Sequence, residues 1–242
     1  MKLPRAEWLA ALILPALVAI RVAAQEPSTP PNRAGASQRL GPLSDRWEPE
    51  ISALERRVSR EAVGTGGVVF YGSSSFRMWT NVVEAFPGHR VVNLGFGGSQ
   101  LSDLNRYFDR LVPPLQPRLL LIYGGDNDLA AGKTPAQVES DFRELVGRVR
   151  GRLPQTRVAF VSVKPSPSRL KWLEAQQLAN DRVRRMAARW RRVDYLDAAT
   201  PLMGASGQPE GRFFGPDRLH MNGEGYAVWR KVLEPYVERW DR

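Results

Sequence analysis

An apolar stretch, Val68 to Tyr71, runs straight into Gly72-Ser73-Ser74-Ser75, and far down the chain comes Asp217-Arg218-Leu219-His220. His220 is one of only two histidines in 242 residues. A hydroxyl is a poor nucleophile at neutral pH. It becomes a competent one when a neutral imidazole takes its proton and a carboxylate fixes that imidazole's tautomer. A serine at the mouth of a strand, with an aspartate and a histidine three positions apart, is therefore material for nucleophilic acyl chemistry. Read as a helical turn, that spacing puts the Asp217 and His220 side chains on one side. Ser73 and Ser75 flank Ser74, and the choice among three hydroxyls is a matter of geometry.

Taken singly, each of these segments has a plainer reading. Gly-Ser-Ser-Ser is a turn, Asp217 a helix cap and His220 a hydrogen-bonded surface residue. Gly125-Asp126-Asn127-Asp128 reads as an acidic turn or part of a cation site. Gly95-Phe96-Gly97-Gly98 fails the dinucleotide pattern because position 100 is Gln. His89, between Gly88 and Arg90, reads as a loop residue with no acid nearby. Cysteine is absent, which removes disulfides, thiol catalysis and thiolate metal sites. Two histidines far apart argue against zinc, and no cofactor is expected.

The elements that must position these residues alternate. Strands are predicted at Val68 to Tyr71, Val91 to Leu94, Leu119 to Tyr123, Val158 to Val163 and Val193 to Leu196. Helices are predicted at Trp47 to Ala62, Leu101 to Leu111, Pro135 to Leu153, Leu170 to Arg191 and Glu224 to Trp240, with a bend near Pro235. Such alternation means an α/β fold with a mostly parallel five-stranded sheet and helices on both faces. Loops after parallel strands share one rim, where ligands of open α/β sheets bind. That topology can gather Ser74, Gly98, Asn127, Asp217 and His220. Lys164, Ser166, Ser168, Arg169, Arg77, Trp79 and the Phe213-Phe214 pair are further candidates to shape the pocket, Lys164 or Arg169 suiting an anionic or sugar substrate.

Residues 1–24 read as a secretory leader: Lys2 and Arg5 precede an apolar run, which ends in Val22-Ala23-Ala24. Arg21 keeps an uncleaved membrane anchor open as the alternative, and the expected compartment is the periplasm or the exterior. Residues 25–45, rich in Pro, Ser, Gly, Ala and Arg, read as a flexible linker. The folded domain is expected over 46–242. Losing Lys2, Arg5, Arg21 and Glu7 with the leader lowers the formal charge from +10 to +8. The excess lies mainly between Arg143 and Arg192, which hold 14 basic and 3 acidic residues. Export argues against nucleic acid, so this region reads as a solvated helix face with a weak attraction to anionic envelope polymers or lipid headgroups.

Four blocks in order carry a resemblance to the SGNH, or GDSL, hydrolase superfamily over about Val68 to Val237. Gly72-Ser73-Ser74 stands where that family has Gly-Asp-Ser. Asn93-Leu94-Gly95-Phe96-Gly97-Gly98, Gly125-Asp126-Asn127-Asp128 and Asp217-Arg218-Leu219-His220 match the next three blocks, and Asn222 to Tyr226 continues as the family often does. Ser73 departs from the pattern, since the family has Asp there. The resemblance implies a three-layer α/β/α flavodoxin-like sandwich. It implies Ser74 as nucleophile, His220 as base and Asp217 as its partner, with the N–H groups of Ser74 and Gly98 and the Asn127 amide as an oxyanion hole. The chain is similar to bacterial acylhydrolases of the superfamily, some of them similar to acetylhydrolases of platelet-activating factor. That implies hydrolysis of short acyl esters on a glycan or lipid through an acyl-serine intermediate. The rival expectation is a module that kept the fold, lost turnover and binds anionic envelope glycans or lipids.

Overall fold

Four of the five runs bury nearly all of their residues, as a parallel sheet covered on both faces requires, while the last, Val193 to Leu196, is mostly half-buried. The structure, a computed structural model, describes residues 45–60 and 64–241. The leader expected over 1–24 and, but for Asp45, the linker expected over 25–45 lie outside the described residues. The strands are β1 (Val68–Gly72), β2 (Val91–Gly95), β3 (Leu119–Tyr123), β4 (Arg157–Val161) and β5 (Val193–Leu196), all parallel, in the order β2-β1-β3-β4-β5. This is the flavodoxin-like strand order.

Around them lie α1 (Glu48–Arg60), α2 (Ser74–Arg77), α3 (Val82–Ala85), α4 (Leu101–Leu111), α5 (Asp126–Ala130), α6 (Pro135–Arg152), α7 (Leu173–Ala187) and α8 (Gly223–Trp240). Strand side chains alternate between faces, so two cores form. Val69, Tyr71, Leu120, Ile122 and Phe160 pack with residues of α1, α4, α6 and α7. Phe70, Leu121, Tyr123 and Val161 pack with Phe76, Trp79, Trp229 and Leu233 of the α2–α3 region and α8. The three layers are therefore those expected.

The differences have local causes. The fourth strand, predicted through Val163, ends at Val161. Ser162 still donates its N–H to the Leu196 carbonyl, but the N–H and C=O of Val163 are both taken by the Asn180 side chain, at 2.8 and 3.0 Å. A single amide thus replaces the neighbouring strand. The helix predicted from Leu170 begins at Leu173, after a 3₁₀ segment over Pro167–Trp172. The last helix runs from Gly223 to Trp240 with Pro235 inside it. The short helices α2 and α5 begin in segments that had read as turns, and α3 was not predicted.

Glycines at the strand ends set how closely the layers meet. A Cβ at Gly72 would stand 2.4 Å from the Tyr123 carbonyl oxygen, and one at Gly95 would stand 2.3 Å from the Arg77 amide nitrogen. The second contact is between β2 and the helix that starts at Ser74. Gly95→Ala should overpack this junction and lower stability by about 1–3 kcal/mol, measurable as a reduced urea midpoint.

Candidate active site

Ser74 is the first residue of α2, two positions beyond the end of β1. Between them Ser73 is extended, and its N–H donates to the Tyr123 carbonyl at 3.1 Å. The helix is held from three sides. Phe76 packs in the aromatic cluster, with ring centroids 5.1 Å from Phe70, 5.7 Å from Tyr123 and 5.9 Å from Trp229. The Asn93 amide donates to the Phe76 carbonyl at 2.7 Å, and the Tyr226 hydroxyl donates to the Ser75 carbonyl at 2.9 Å. Each contact fixes the backbone around the serine and leaves its side chain free.

Geometry selects among the three hydroxyls. Ser73 Oγ and Ser75 Oγ are buried with no hydrogen-bond partner. Ser74 Oγ lies 2.9 Å from His220 Nε2, and His220 Nδ1 lies 2.6 Å from Asp217 Oδ2. The sequence had suggested a helical turn for Asp217 to His220, and this is corrected. Residues 217–220 form a non-helical turn in which Arg218 has φ +56°. Asp217 Oδ1 accepts the N–H groups of both Leu219 and His220 at 3.0 Å, while Oδ2 takes the imidazole. One carboxylate thus orders both the loop and the ring. Asn222, not Asp217, caps α8 by accepting the Gly225 N–H.

Desolvation pushes the Asp217 carboxyl up, but hydrogen bonds from the His220 ring and from the Leu219 and His220 amides outweigh it and hold the pKa at about 2. The turn is also gripped from β4's side. Lys164 Nζ donates to the Leu219 carbonyl at 2.8 Å, and the Ser168 N–H donates to the Arg218 carbonyl at 3.0 Å. Lys164 is 1% exposed, and burial pushes its ammonium down. It supports the turn that bears His220 from beneath and is not placed to meet a substrate, contrary to the role suggested for it.

Gly98 and Asn127 reach the same place from β2 and β3. With Ser74 and His220 they line a shallow bowl of about 390 Å³, whose rim carries Glu50, Arg77, Met78 and Leu219. Asn127 Nδ2 donates one N–H to the Ser99 carbonyl at 3.1 Å, and a primary amide has a second to offer. Ser74 N–H is among the first amides of its helix, which have no acceptor inside it. Of the further pocket candidates, Arg77 lines the bowl. Trp79, Phe213 and Phe214 are core, and Ser166, Ser168 and Arg169 are not among the lining residues.

Gly125 to Asp128, weighed as a cation site, is a structural knot. Asp128 is fully buried and accepts the N–H groups of Leu101 and Gly125 at 3.1 Å each, and the Lys133 ammonium at 2.9 Å. Burial raises its pKa against these donors. Among the described residues no group of His, Asp or Glu is arranged to hold a metal ion. His89 does have an acid nearby, contrary to the sequence reading: its Nδ1 lies 3.0 Å from Asp241 Oδ2, which Arg118 also holds through the other oxygen, at 2.9 Å. Proximity in space across 152 positions gives no signal in sequence. The same applies to Asn93, Lys164 and Tyr226, whose supporting roles had not been assigned.

A second, larger groove of about 1210 Å³ opens at the amino-terminal edge of the sheet, among Arg118, Arg152, Arg157 and Arg192. Much of this basic region is engaged internally. Arg157 pairs with Asp194 at 2.6 Å, Arg118 with Asp241, and Arg150 and Arg192 donate to backbone carbonyls. It lies at the end of the sheet opposite the serine.

Residues 61–228 match the family described as GDSL-like lipase/acylhydrolase. The chain belongs to that family. It is a carboxylic ester hydrolase of the SGNH/GDSL superfamily. This GDSL-family chain is 28% identical over 179 residues to the platelet-activating factor acetylhydrolase IB subunit alpha1 of Pongo abelii, covering 71% of this chain and 75% of that one. A solved structure from Streptococcus pneumonia has a TM-score of 0.72 at 19% identity, covering 79% of this chain and 93% of that one. A GDSL-like lipase from Bacteroides thetaiotaomicron has a TM-score of 0.63 at 21% identity, covering 81% and 97%. At those identities the two solved structures speak for the fold.

Asp128→Ala would strand the Leu101 and Gly125 amides in the interior. It should cost about 2–4 kcal/mol of stability, read from chemical unfolding.

Proposed function

We propose that the protein is an exported serine esterase that removes short acyl groups from a carbohydrate hydroxyl or a lysophospholipid-type alcohol. The observation that carries this reading is the continuous hydrogen-bond chain Ser74 Oγ–His220 Nε2, His220 Nδ1–Asp217 Oδ2, at 2.9 and 2.6 Å. Ser74 Oγ attacks the ester carbonyl carbon as His220 Nε2 takes its proton. The carbonyl electron pair moves onto oxygen, where the N–H groups of Ser74 and Gly98 and the Asn127 amide receive it. These donors act on charge that appears only as the bond forms, so they favour the transition state over the ground state. The tetrahedral intermediate collapses, the alcohol leaves with the proton from His220, and an acyl-serine remains. Water repeats the sequence: His220 takes its proton and returns one to Ser74 as the acid departs. Asp217 holds the imidazole in the tautomer with the proton on Nδ1 and stabilises its charged form.

The preference for short acyl groups rests on the small, open bowl and on the likeness to relatives named acetylhydrolases. The open rim suits a bulky alcohol. Export rests on the order of residues in positions 1–24. A contact with anionic envelope polymers would use the basic region between Arg143 and Arg192.

Purified residues 25–242 should hydrolyse p-nitrophenyl acetate, and Ser74→Ala should abolish that activity while the fold is retained. Asp217→Asn should lower kcat by up to about 10⁴ with an unchanged circular-dichroism spectrum. Equal turnover in wild type and Ser74→Ala would reject the reading. A panel of acyl lengths and acetylated sugars separates the two alcohol classes.

The pH profile provides a second test. Asp217, with its pKa at about 2, stays ionised above about pH 3, so its own protonation should add no acid limb to kcat/KM there. Two acid limbs above pH 3 would contradict the assigned environment of Asp217.

A further inference from the structure

Gly97 and Gly98 are adjacent glycines, and Gly98 sits at φ +70°. Such a pair lets a backbone approach a substrate closely, but it also lets the peptide between them turn over at little cost. That peptide supplies the Gly98 N–H. A donor whose direction wanders must be reorganised at each turnover, which forfeits the benefit of a fixed oxyanion site. Something outside the loop has to hold it.

Three side chains from one short stretch do so. Glu50 Oε2 accepts the Gly97 N–H at 3.4 Å. Trp47 Nε1 donates to the Gly97 carbonyl at 2.7 Å. Arg46 Nη2 donates to the Gly98 carbonyl at 3.2 Å. These contacts fall on three successive peptide units, and the first of these is also held within the loop, by Ser99 Oγ donating to the Phe96 carbonyl at 3.1 Å. The middle contact matters most. The Gly97 C=O and the Gly98 N–H belong to one planar, trans peptide and point in opposite directions. Fixing the oxygen therefore fixes the direction of the N–H. A donor on the oxygen also polarises the amide and strengthens its own N–H as a donor.

Trp47 is itself well seated. It is 7% exposed, with its ring 6.1 Å from that of Phe96, and the Arg46 guanidinium lies 3.7 Å above its face. Glu50 extends the grip to the nucleophile's helix, since its other oxygen pairs with Arg77 Nε at 2.9 Å. The stretch Arg46–Glu50 thus ties the β2 loop to α2, the two elements that bear Gly98 and Ser74. It lies ahead of residues 61–228, the part that matches the family.

We infer that Arg46–Glu50 is a strap that completes the oxyanion hole, with Trp47 as the positioning residue for the Gly98 N–H. This rests on the esterase reading above. The strap acts on the transition state, because the substrate carbonyl gains negative charge only as Ser74 attacks. Its loss should lower kcat and leave KM in place.

The test is Trp47→Phe in the full chain, which removes the N–H and keeps an aromatic ring. With p-nitrophenyl acetate, kcat should fall about 10–100-fold, somewhat less than loss of an oxyanion donor outright. KM should change less than about threefold, by the transition-state argument. Deuterium exchange of the Gly97 and Gly98 amides should accelerate while the amides of β1 and β3 keep their protection. Wild-type kcat together with unchanged exchange at Gly97–Gly98 would overturn the inference, as would equal losses of protection across the sheet. Arg46→Ala changes an exposed side chain and serves if Trp47→Phe does not fold; faster exchange in the loop with a lower kcat supports the strap, and neither change overturns it. If the wild type cleaves no ester, the esterase reading fails, and loop exchange in Trp47→Phe still decides whether the indole holds the peptide.

Discussion

Parallel strands all point one way, and the site depends on that constraint. The carboxyl ends of β1, β2 and β3 share one rim, so the loops bearing Ser74, Gly98 and Asn127 meet without any long-range search by the side chains. The order β2-β1-β3 adds a second condition. The chain leaves β1 through α2 and α3 on one face and leaves β2 through α4 on the other. Connections that depart to opposite faces leave a crevice between them, and such crevices take ligands in open α/β sheets. The arrangement is close enough at Gly72 and Gly95 that a single methyl group would collide with backbone.

Around this crevice the polar groups divide into two sets. Those placed for chemistry are partly open: the Asp217 side chain is 50% exposed and that of His220 21%. Two charged groups that support them are buried. Lys164 lies under the Leu219 carbonyl, and Asp128 gathers the starts of α4 and α5. A buried charge without partners is costly, so each supporting group is tied to the backbone it orders. Lowering the Asp217 pKa to about 2 needs no deep pocket, because two backbone amides and the imidazole together outweigh the desolvation.

Much of this was legible in the residues. The five strands, the main helices and all five proposed site positions could be named, because an apolar strand followed by a small polar loop is a local pattern. Boundaries were legible only where local forces decide them. Val163 had the composition of a strand residue, yet the Asn180 amide captured its backbone from another element. Ser-Ser-Ser had the composition of a turn, yet Ser74 starts a helix because Phe76 is anchored among Phe70, Tyr123 and Trp229.

By itself, the sequence determined the order of elements, the three-layer plan and the residue types available for acyl transfer. Side-chain polarity and period act over a few neighbours and survive in a linear string. Only the tertiary structure decided which of three serines meets His220, that Asp217 orders a non-helical turn, that Lys164 faces inward, and that Trp47 holds the Gly97 carbonyl. Except for the Asp217 turn, those outcomes are set by distances of a few ångströms between residues far apart in the chain, 146 positions for Ser74 and His220 and 50 for Trp47 and Gly97. Hydrogen bonds need that proximity and direction, and neither is written in residue type.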